Sequence, residues 1–569
     1  MKKILQSGLA LLLGVASSST LAALDRMGDF ALLDGAGGFH QLSRYQHREA
    51  VVVMSFAQEC AGMASALDAY AALQHQYAEQ GIEFLLLDST GTSRQQLAAI
   101  DAGMPILHDE GRLVAETLGM THVGEVRVLN PSRLSLYYRG DVGTELDSLL
   151  ASLLTTRVRN TVSMEGSGAG CELQFPERDA HLDRAPDYST EVAPLIVENC
   201  VQCHRQWGAA PFPMDSHVSL LGWSPMIKEV LLNKRMPPAQ VDPLVSHSSS
   251  ARYLDVKDIQ TIVHWINAGG PRGDGAVDPL EQLVFDQDET WLLGEPSLVI
   301  STPTHLIPAN GVLEDIYEEV ELGLEEGKWV KAIQFMPTAN GTLHHLMVMV
   351  TAPEEDFWGA ERGNLLAKRR FLEGYSPGKP VVTEFNQQTG VFIPAGHKLS
   401  MQFQYVGMGA EVRNVTKIGL YFADEPPASE RMVQAVSASF SIPANTPDIP
   451  VHAEHEFDQD VVITGVRARM NERGKNMKFS VEFPDGRKTD LLSVAAYNYA
   501  WQPHYELDVP LEVPAGSKVH VTGAFDNSVS NPFNPDPTEA VEPGLEITDE
   551  MFTGYFSYYP KGSKNRPPL

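Results

Sequence analysis

Cys200-Val201-Gln202-Cys203-His204 sets two thiols, two residues apart, directly before an imidazole. This is the attachment sequence of a c-type haem, in which the thiols form thioethers to the porphyrin vinyls and the histidine binds the iron. The same cysteines also suit a redox disulfide or half of a zinc site. Zinc, however, would need further ligands at similar spacing, and the sequence has no second close pair among its four cysteines. Cys200 and Cys203 are therefore read as haem attachment and His204 as an iron ligand. A sixth ligand is expected from a methionine, whose thioether raises the reduction potential. Met236, in Lys234-Arg235-Met236-Pro237-Pro238, follows a helical run, and its two prolines hold the loop extended. Met214, in Pro211-Phe212-Pro213-Met214, is the competitor.

Further along, His344 and His345 open an apolar strand, Thr342-Leu343-His344-His345-Leu346-Met347-Val348. Adjacent side chains on a strand point to opposite faces, so two neighbouring imidazoles reach one metal only at a bulge or a twist. Cys60 is followed by Ala-Gly-Met, without a second cysteine at that spacing. It and Cys171, in a glycine-rich stretch, are the cysteines that the haem motif leaves over, and a Cys60–Cys171 disulfide is expected.

The elements that position these residues fall into blocks. In residues 24–160, Val51–Phe56 and Ile82–Asp88 read as strands around an amphipathic helix carrying Leu67, Tyr70, Leu73 and Tyr77 on one face, and a hairpin follows around Pro131-Ser132. Residues 161–187 read as a linker. Residues 188–275 carry helical patterns at Thr190–Asn199 and Val256–Ala268, the second ended by Gly269-Gly270-Pro271. Strands dominate 286–425 and 430–560, separated by turns such as Pro484-Asp485-Gly486, which suits two β-sandwiches.

Three resemblances sharpen this outline. The phrases FAQECAGMAS, LHDEGRLVAETLG and VRVLNPSRLSLYYRG resemble the thioredoxin-like redoxin/peroxiredoxin group. Departures are the missing second cysteine after Cys60, and His122-Val123-Gly124-Glu125 where such folds carry a cis-proline. NCVQCH, APFPM, RMPPA and HWINAGGPRGD resemble the small cytochrome c domains fused to exported bacterial oxidoreductases, a likeness that favours Met236 over Met214. WVKAIQFMPTANGTLHHLMVMV, LLSVAAYNYAWQPHYELDVP and DNSVSNPFNPDPTEAVEPGLEITDEMFTGYFSYY resemble the copper type II, ascorbate-dependent monooxygenases, which include peptidylglycine α-hydroxylating and dopamine β-monooxygenase. That family holds one copper in each sandwich, the first on three imidazoles for electron transfer, the second on two histidines and a methionine for oxygen chemistry.

By that resemblance His344 and His345 match the paired imidazoles of the first site and Met551 the thioether of the second. Gln404 stands where the third imidazole belongs, and Arg469 and Asn471 stand at the His-x-His positions of the oxygen site. A guanidinium has no lone pair to offer and repels a cation. His397, His452, His455 and His504 are the replacement ligands within reach of the sequence. The expectation is haem c, with copper substoichiometric.

The expected architecture is multidomain: an α/β thioredoxin-like unit, a small all-α cytochrome c unit, then two all-β, jelly-roll-like sandwiches. Residues 1–22 read as a secretory signal peptide, from Lys2 and Lys3 through an apolar run to small residues at Thr20-Leu21-Ala22, and place the mature protein in a bacterial periplasm. Subtracting 73 acidic from 43 basic residues gives −30, which argues against nucleic acid as a partner. No later segment is apolar for the roughly 20 residues a membrane span needs. The partners expected are a periplasmic electron donor or acceptor and a small-molecule or peptide substrate. Two functions compete: a haem oxidoreductase feeding a copper monooxygenase-like module with incomplete ligands, and a non-catalytic electron-transfer or ligand-binding protein whose copper chemistry is lost.

Overall fold

The computed structural model describes residues 25–562, apart from 157–160, 164–169, 207, 209, 211, 239, 252, 276, 285–289, 340, 358–369, 377–378, 386–387 and 545–548. The expected signal peptide, residues 1–22, lies outside the described residues.

Short runs of β-branched and apolar residues build the first sheet. Its strands run in the order Ile106–His108, Ile82–Asp88, Ala50–Ser55, Glu125–Asn130, Ser135–Asp141 and Val162–Ser163. The first three are mutually parallel, and the hairpin Glu125–Asp141 adds antiparallel strands beside Ala50–Ser55. Ala50–Ser55 is buried along its whole length, as expected of a central strand covered on both faces. The helix Met63–Tyr77 connects two of the parallel strands and packs Tyr70 into the core, where its hydroxyl donates to Val52 O.

Two expectations change after residue 160. The expected linker, 161–187, contains ordered structure: Val162–Ser163 joins the first sheet, and Pro176–Asp183 is a helix. The expected small all-α unit, 188–275, has helices Ala193–Asn199, His217–Leu232 and Val256–Asn267, but also the strand Gln240–Val241, which joins a sheet of the second sandwich. The helices have no core of their own. Tyr188, Val192, Ile196, Leu220 and Trp265 belong to one continuous apolar cluster with Val52, Leu86 and Val126 of the first sheet. The physical reason is the amphipathic helix Val256–Asn267, which needs a partner for Ile259, Ile262 and Val263. Its Gln260 and His264 reach Gly111 O and Glu116 across that junction.

The remainder is β. One pair of sheets encloses a core around Phe335, Leu346, Met401 and Ile418. A second pair encloses Phe479, Leu492, Val521 and Phe556. Strands Leu343–Thr351 and Lys398–Val406 are neighbours in the first, and Val461–Arg469 lies beside Thr553–Pro560 in the second. Among the described residues, no helix is long and apolar enough to cross a membrane.

Candidate functional site

Pro194 opens the helix Ala193–Asn199, which delivers Cys200 to a turn. There His204 N donates to Cys200 O at 2.9 Å. Cys200 and Cys203 form no disulfide. Burial, with Cys203 adding to it, pushes the Cys200 thiol up to about 12, so it is not a thiolate at neutral pH. His204 is buried, and burial lowers its pKa below the ordinary value, keeping the ring neutral. Its Nδ1 lies 3.0 Å from Phe212 O. A neutral ring that donates Nδ1–H there presents the lone pair of Nε2 to a metal. Phe212 in turn stacks on Trp223, centroids 4.4 Å apart, and Leu221, Trp223 and Met226 remain exposed on the helix His217–Leu232. Two cysteines outside any disulfide, an oriented imidazole and uncovered apolar side chains fit a covalently held porphyrin.

The two candidate sixth ligands are placed differently. Met214 is buried, and its N donates to His204 O at 2.8 Å. Met236 is exposed, on the wall of a cavity of about 880 Å³ at the junction with the first sheet, lined also by Arg94, Asp109, Leu231 and Ile259. Cys200, Cys203 and His204 do not line that cavity.

The paired histidines are brought together by a break in register. Between Leu343 and His345 the pairing of Leu343–Thr351 with Lys398–Val406 shifts, and His345 then faces Gln404. This bulge removes the alternation that would set the two rings on opposite faces. His344 Nδ1 and His345 Nδ1 lie 2.7 Å apart, and Gln404 Oε1 lies 2.9 and 3.1 Å from them. Gln404 is held in place by donating to Tyr499 OH at 2.7 Å. Both rings are buried, and burial holds both pKa values below the ordinary one, with the Arg469 charge acting in the same direction. His345 Nε2 is buried without a hydrogen-bond partner. Two neutral imidazole nitrogens and an amide oxygen converge, a donor set that fits one copper.

The second site does not fit the metal. Arg469 Nε donates to Met551 Sδ at 3.0 Å, so a cation already occupies the thioether. Asn471 is turned away, donating from Nδ2 to Asp549 O at 3.0 Å. Glu550 ties the segment down by accepting from Asn471 N and Arg473 N, at 2.8 and 2.6 Å. Met551, which the resemblance implies as the thioether ligand, is here the acceptor of a guanidinium. The replacement histidines sit elsewhere: His397 beside Ala395 O, His455 against Phe457, His504 beside Glu506, and His452 beside His520. Gln404 and Tyr499 complete the first cluster. Only the family pattern pointed to Gln404, and no signal in the sequence marked Tyr499.

Cys60 and Cys171 form a disulfide, Cα atoms 5.8 Å apart. Cys60 precedes the helix Met63–Tyr77, whose N-cap Gly62 has φ 86°, a left-handed conformation that glycine adopts freely. The Cys171 segment lies along the loop before Glu125: Val123 N donates to Cys171 O at 2.9 Å and Leu173 N to Thr121 O at 2.8 Å. Gly170 is pressed against Val123 O, where a Cβ would meet it at 1.8 Å.

Residues 24–132 match the AhpC/TSA family, and this part of the chain is a thioredoxin-like domain. No curated protein matches the sequence. Among solved structures, a hypothetical protein from Sinorhizobium meliloti 1021 is similar at 21% identity, covering 27% of this chain and 94% of its own, TM-score 0.24. The peroxidoxin BcpB from Mycobacterium tuberculosis is similar at 20% identity, covering 24% and 98%, TM-score 0.20. A thioredoxin-like protein from Aeropyrum pernix is similar at 17% identity, covering 22% and 89%, TM-score 0.20.

Proposed function

We propose that this chain, a thioredoxin-like domain followed by helices and a largely β region, is an exported c-type haem oxidoreductase. In this reading the β region is a copper monooxygenase-like module that holds at most one copper. The observation that carries the reading is the state of His204: its Nδ1 is engaged by Phe212 O, next to two cysteines that form no disulfide while Cys60 and Cys171 are bonded to each other. Cys200 and Cys203 would hold the porphyrin, His204 would bind its iron, and Phe212 and Trp223 would offer it apolar surface. When bound, the haem supplies one-electron transfer.

His344, His345 and Gln404 would hold the copper, which in that position supplies a one-electron relay. The bulge at His344 presents the two rings to one point, and Tyr499 fixes the amide oxygen towards it. Arg469 keeps a cation out of the Met551 side, so no oxygen chemistry is assigned there. The partners in this reading are a periplasmic electron donor or acceptor and a small-molecule or peptide substrate.

The test is covalent haem. Protein exported from a host with a haem-attachment system should stain for haem on a denaturing gel, and Cys200→Ala with Cys203→Ala should abolish the stain. An unstained wild type overturns the reading.

A second reading rests on the AhpC/TSA match. There the Cys60–Cys171 disulfide is a redox couple, and the chain is a thiol-based oxidoreductase. Turnover of a disulfide substrate by the wild type, lost in Cys60→Ser, supports it. Inert Cys60 and Cys171 leave the disulfide a structural tie.

A further inference from the structure

On the solvent face of the second sandwich, three adjacent strands bring together groups that neither copper pattern includes. In Ile449–Glu456, Val451 and Ala453 are buried while His452 and Glu454 point outwards. Glu454 pairs directly with His520 on Lys518–Phe525, and Ser480 on Gly474–Glu482 pairs with His520 from the other side. The period of two along each strand therefore sets His452, Glu454, His520 and Glu482 on one face.

We infer that His452, Glu454 and His520 form a binding site for a borderline divalent cation of the zinc or copper(II) class, with Glu482 orienting His520. His452 Nε2 lies 3.1 Å from His520 Nδ1, and Glu454 Oε2 lies 3.6 Å from the same Nδ1. The ligand atoms of the three residues all lie within 4.8 Å of one another. A tetrahedral ion with bonds of about 2.0–2.1 Å keeps its ligand atoms roughly 3.3 Å apart, so the two nitrogens already stand near the required spacing. Two imidazoles and a carboxylate are a donor set for zinc or copper(II), not for calcium or magnesium, which take oxygen.

The other nitrogen of His520 supports this assignment. Its Nε2 is buried, makes no hydrogen bond among the described residues and lies 3.3 Å from Glu482 Oε2. A carboxylate beside that nitrogen holds the proton on Nε2 and directs the Nδ1 lone pair to the ion, as in other carboxylate–histidine–metal arrangements. Lys488 shares Glu482 Oε2 at 2.8 Å, and Lys518 approaches Glu454 Oε1 at 3.4 Å, leaving Glu454 Oε2 to the ion. His452 is exposed, so solvent fills the remaining position.

The site is independent of the haem and of His344, and the experiment is differential. Full-length protein is titrated with zinc chloride by calorimetry beside a His452→Ala/His520→Ala double variant, and circular dichroism checks that both are folded. The wild type should bind one more zinc per chain than the double variant. Glu482→Gln should keep that ion but weaken it 10-fold or more. Equal zinc stoichiometry in the wild type and the folded double variant overturns the site. An unchanged affinity in Glu482→Gln overturns the orienting role.

Discussion

Arg469 donates through Nε to the thioether of Met551 across 3.0 Å. The arginine thus fills the space where the resemblance to copper monooxygenases would put an imidazole. Two unit charges about 4 Å apart repel by roughly 4 kcal/mol at an effective dielectric of 20, enough to exclude a cation from this side. The expected outcome is at most one copper per wild-type chain by elemental analysis. Arg469→His with Asn471→His should add a second, and two tight coppers in the wild type would contradict this.

Acid should loosen the first sandwich. Burial holds His344 and His345 below their ordinary value of 6.5, so the folded protein keeps both neutral where the unfolded chain is already protonated. The unfolded state then binds more protons, and stability falls as pH drops from about 6.5 towards the folded values. Each such histidine contributes a slope of about 1.4 kcal/mol per pH unit within that window and nothing above it. Urea unfolding between pH 8 and 5 should show a decline that is shallower in His344→Asn/His345→Asn.

In the proposed haem site, the iron's sixth ligand would come from one of two methionines. The likeness to small cytochromes favours Met236, whereas the backbone contact of Met214 with His204 sets the rival close to the motif. In oxidised protein the weak sulfur-to-iron band near the red end should vanish in Met236→Ala and persist in Met214→Ala. The reverse result assigns the ligand to Met214.

Arg94 and Asp242 join the first sheet to the segment that carries Met236. Their paired hydrogen bonds, 2.8 and 2.5 Å, lie in a buried setting with side-chain exposures of 8% and 3%. Arg94→Ala leaves Asp242 charged and unpaired and should cost about 3–5 kcal/mol in urea unfolding. Arg94→Met with Asp242→Leu should recover most of that loss.

The Cys60–Cys171 disulfide closes a loop with a sequence separation of 111. Cys171→Ser should lower stability by about 2–4 kcal/mol, read by denaturant unfolding without reductant. Dithiothreitol should lower the wild type by the same amount and leave the variant unchanged.

Much of this arrangement is legible in the chain, because local pattern carries it. The continuous apolar run Val51–Phe56 and the alternation along Lys518–Phe525 mark strands. What was not legible depends on contacts between distant residues. Nothing local to His344 announces a bulge, since the break in register exists only in the pairing of its strand with Lys398–Val406. His452 and Glu454 are two residues apart in the chain, but His520 and Glu482 join them only through strand pairing. The absence of a separate helical core was hidden for the same reason. The stripe Ile259, Ile262, Val263 says that the helix Val256–Asn267 must be covered, without saying by what.

That shared core sets where the gene can be cut. A fragment ending near residue 160 and one starting near 188 both divide the apolar cluster that runs from Phe30 to Leu280, and the second leaves Tyr188, Val192 and Trp265 facing water. Such pieces should collect in inclusion bodies, and their failure to bind haem or to exchange thiols would say nothing about the intact protein. The smallest portable cassette begins before Phe30 and ends after Leu280. Even then it carries an unpaired edge at Gln240–Val241, the strand that the second sandwich normally completes.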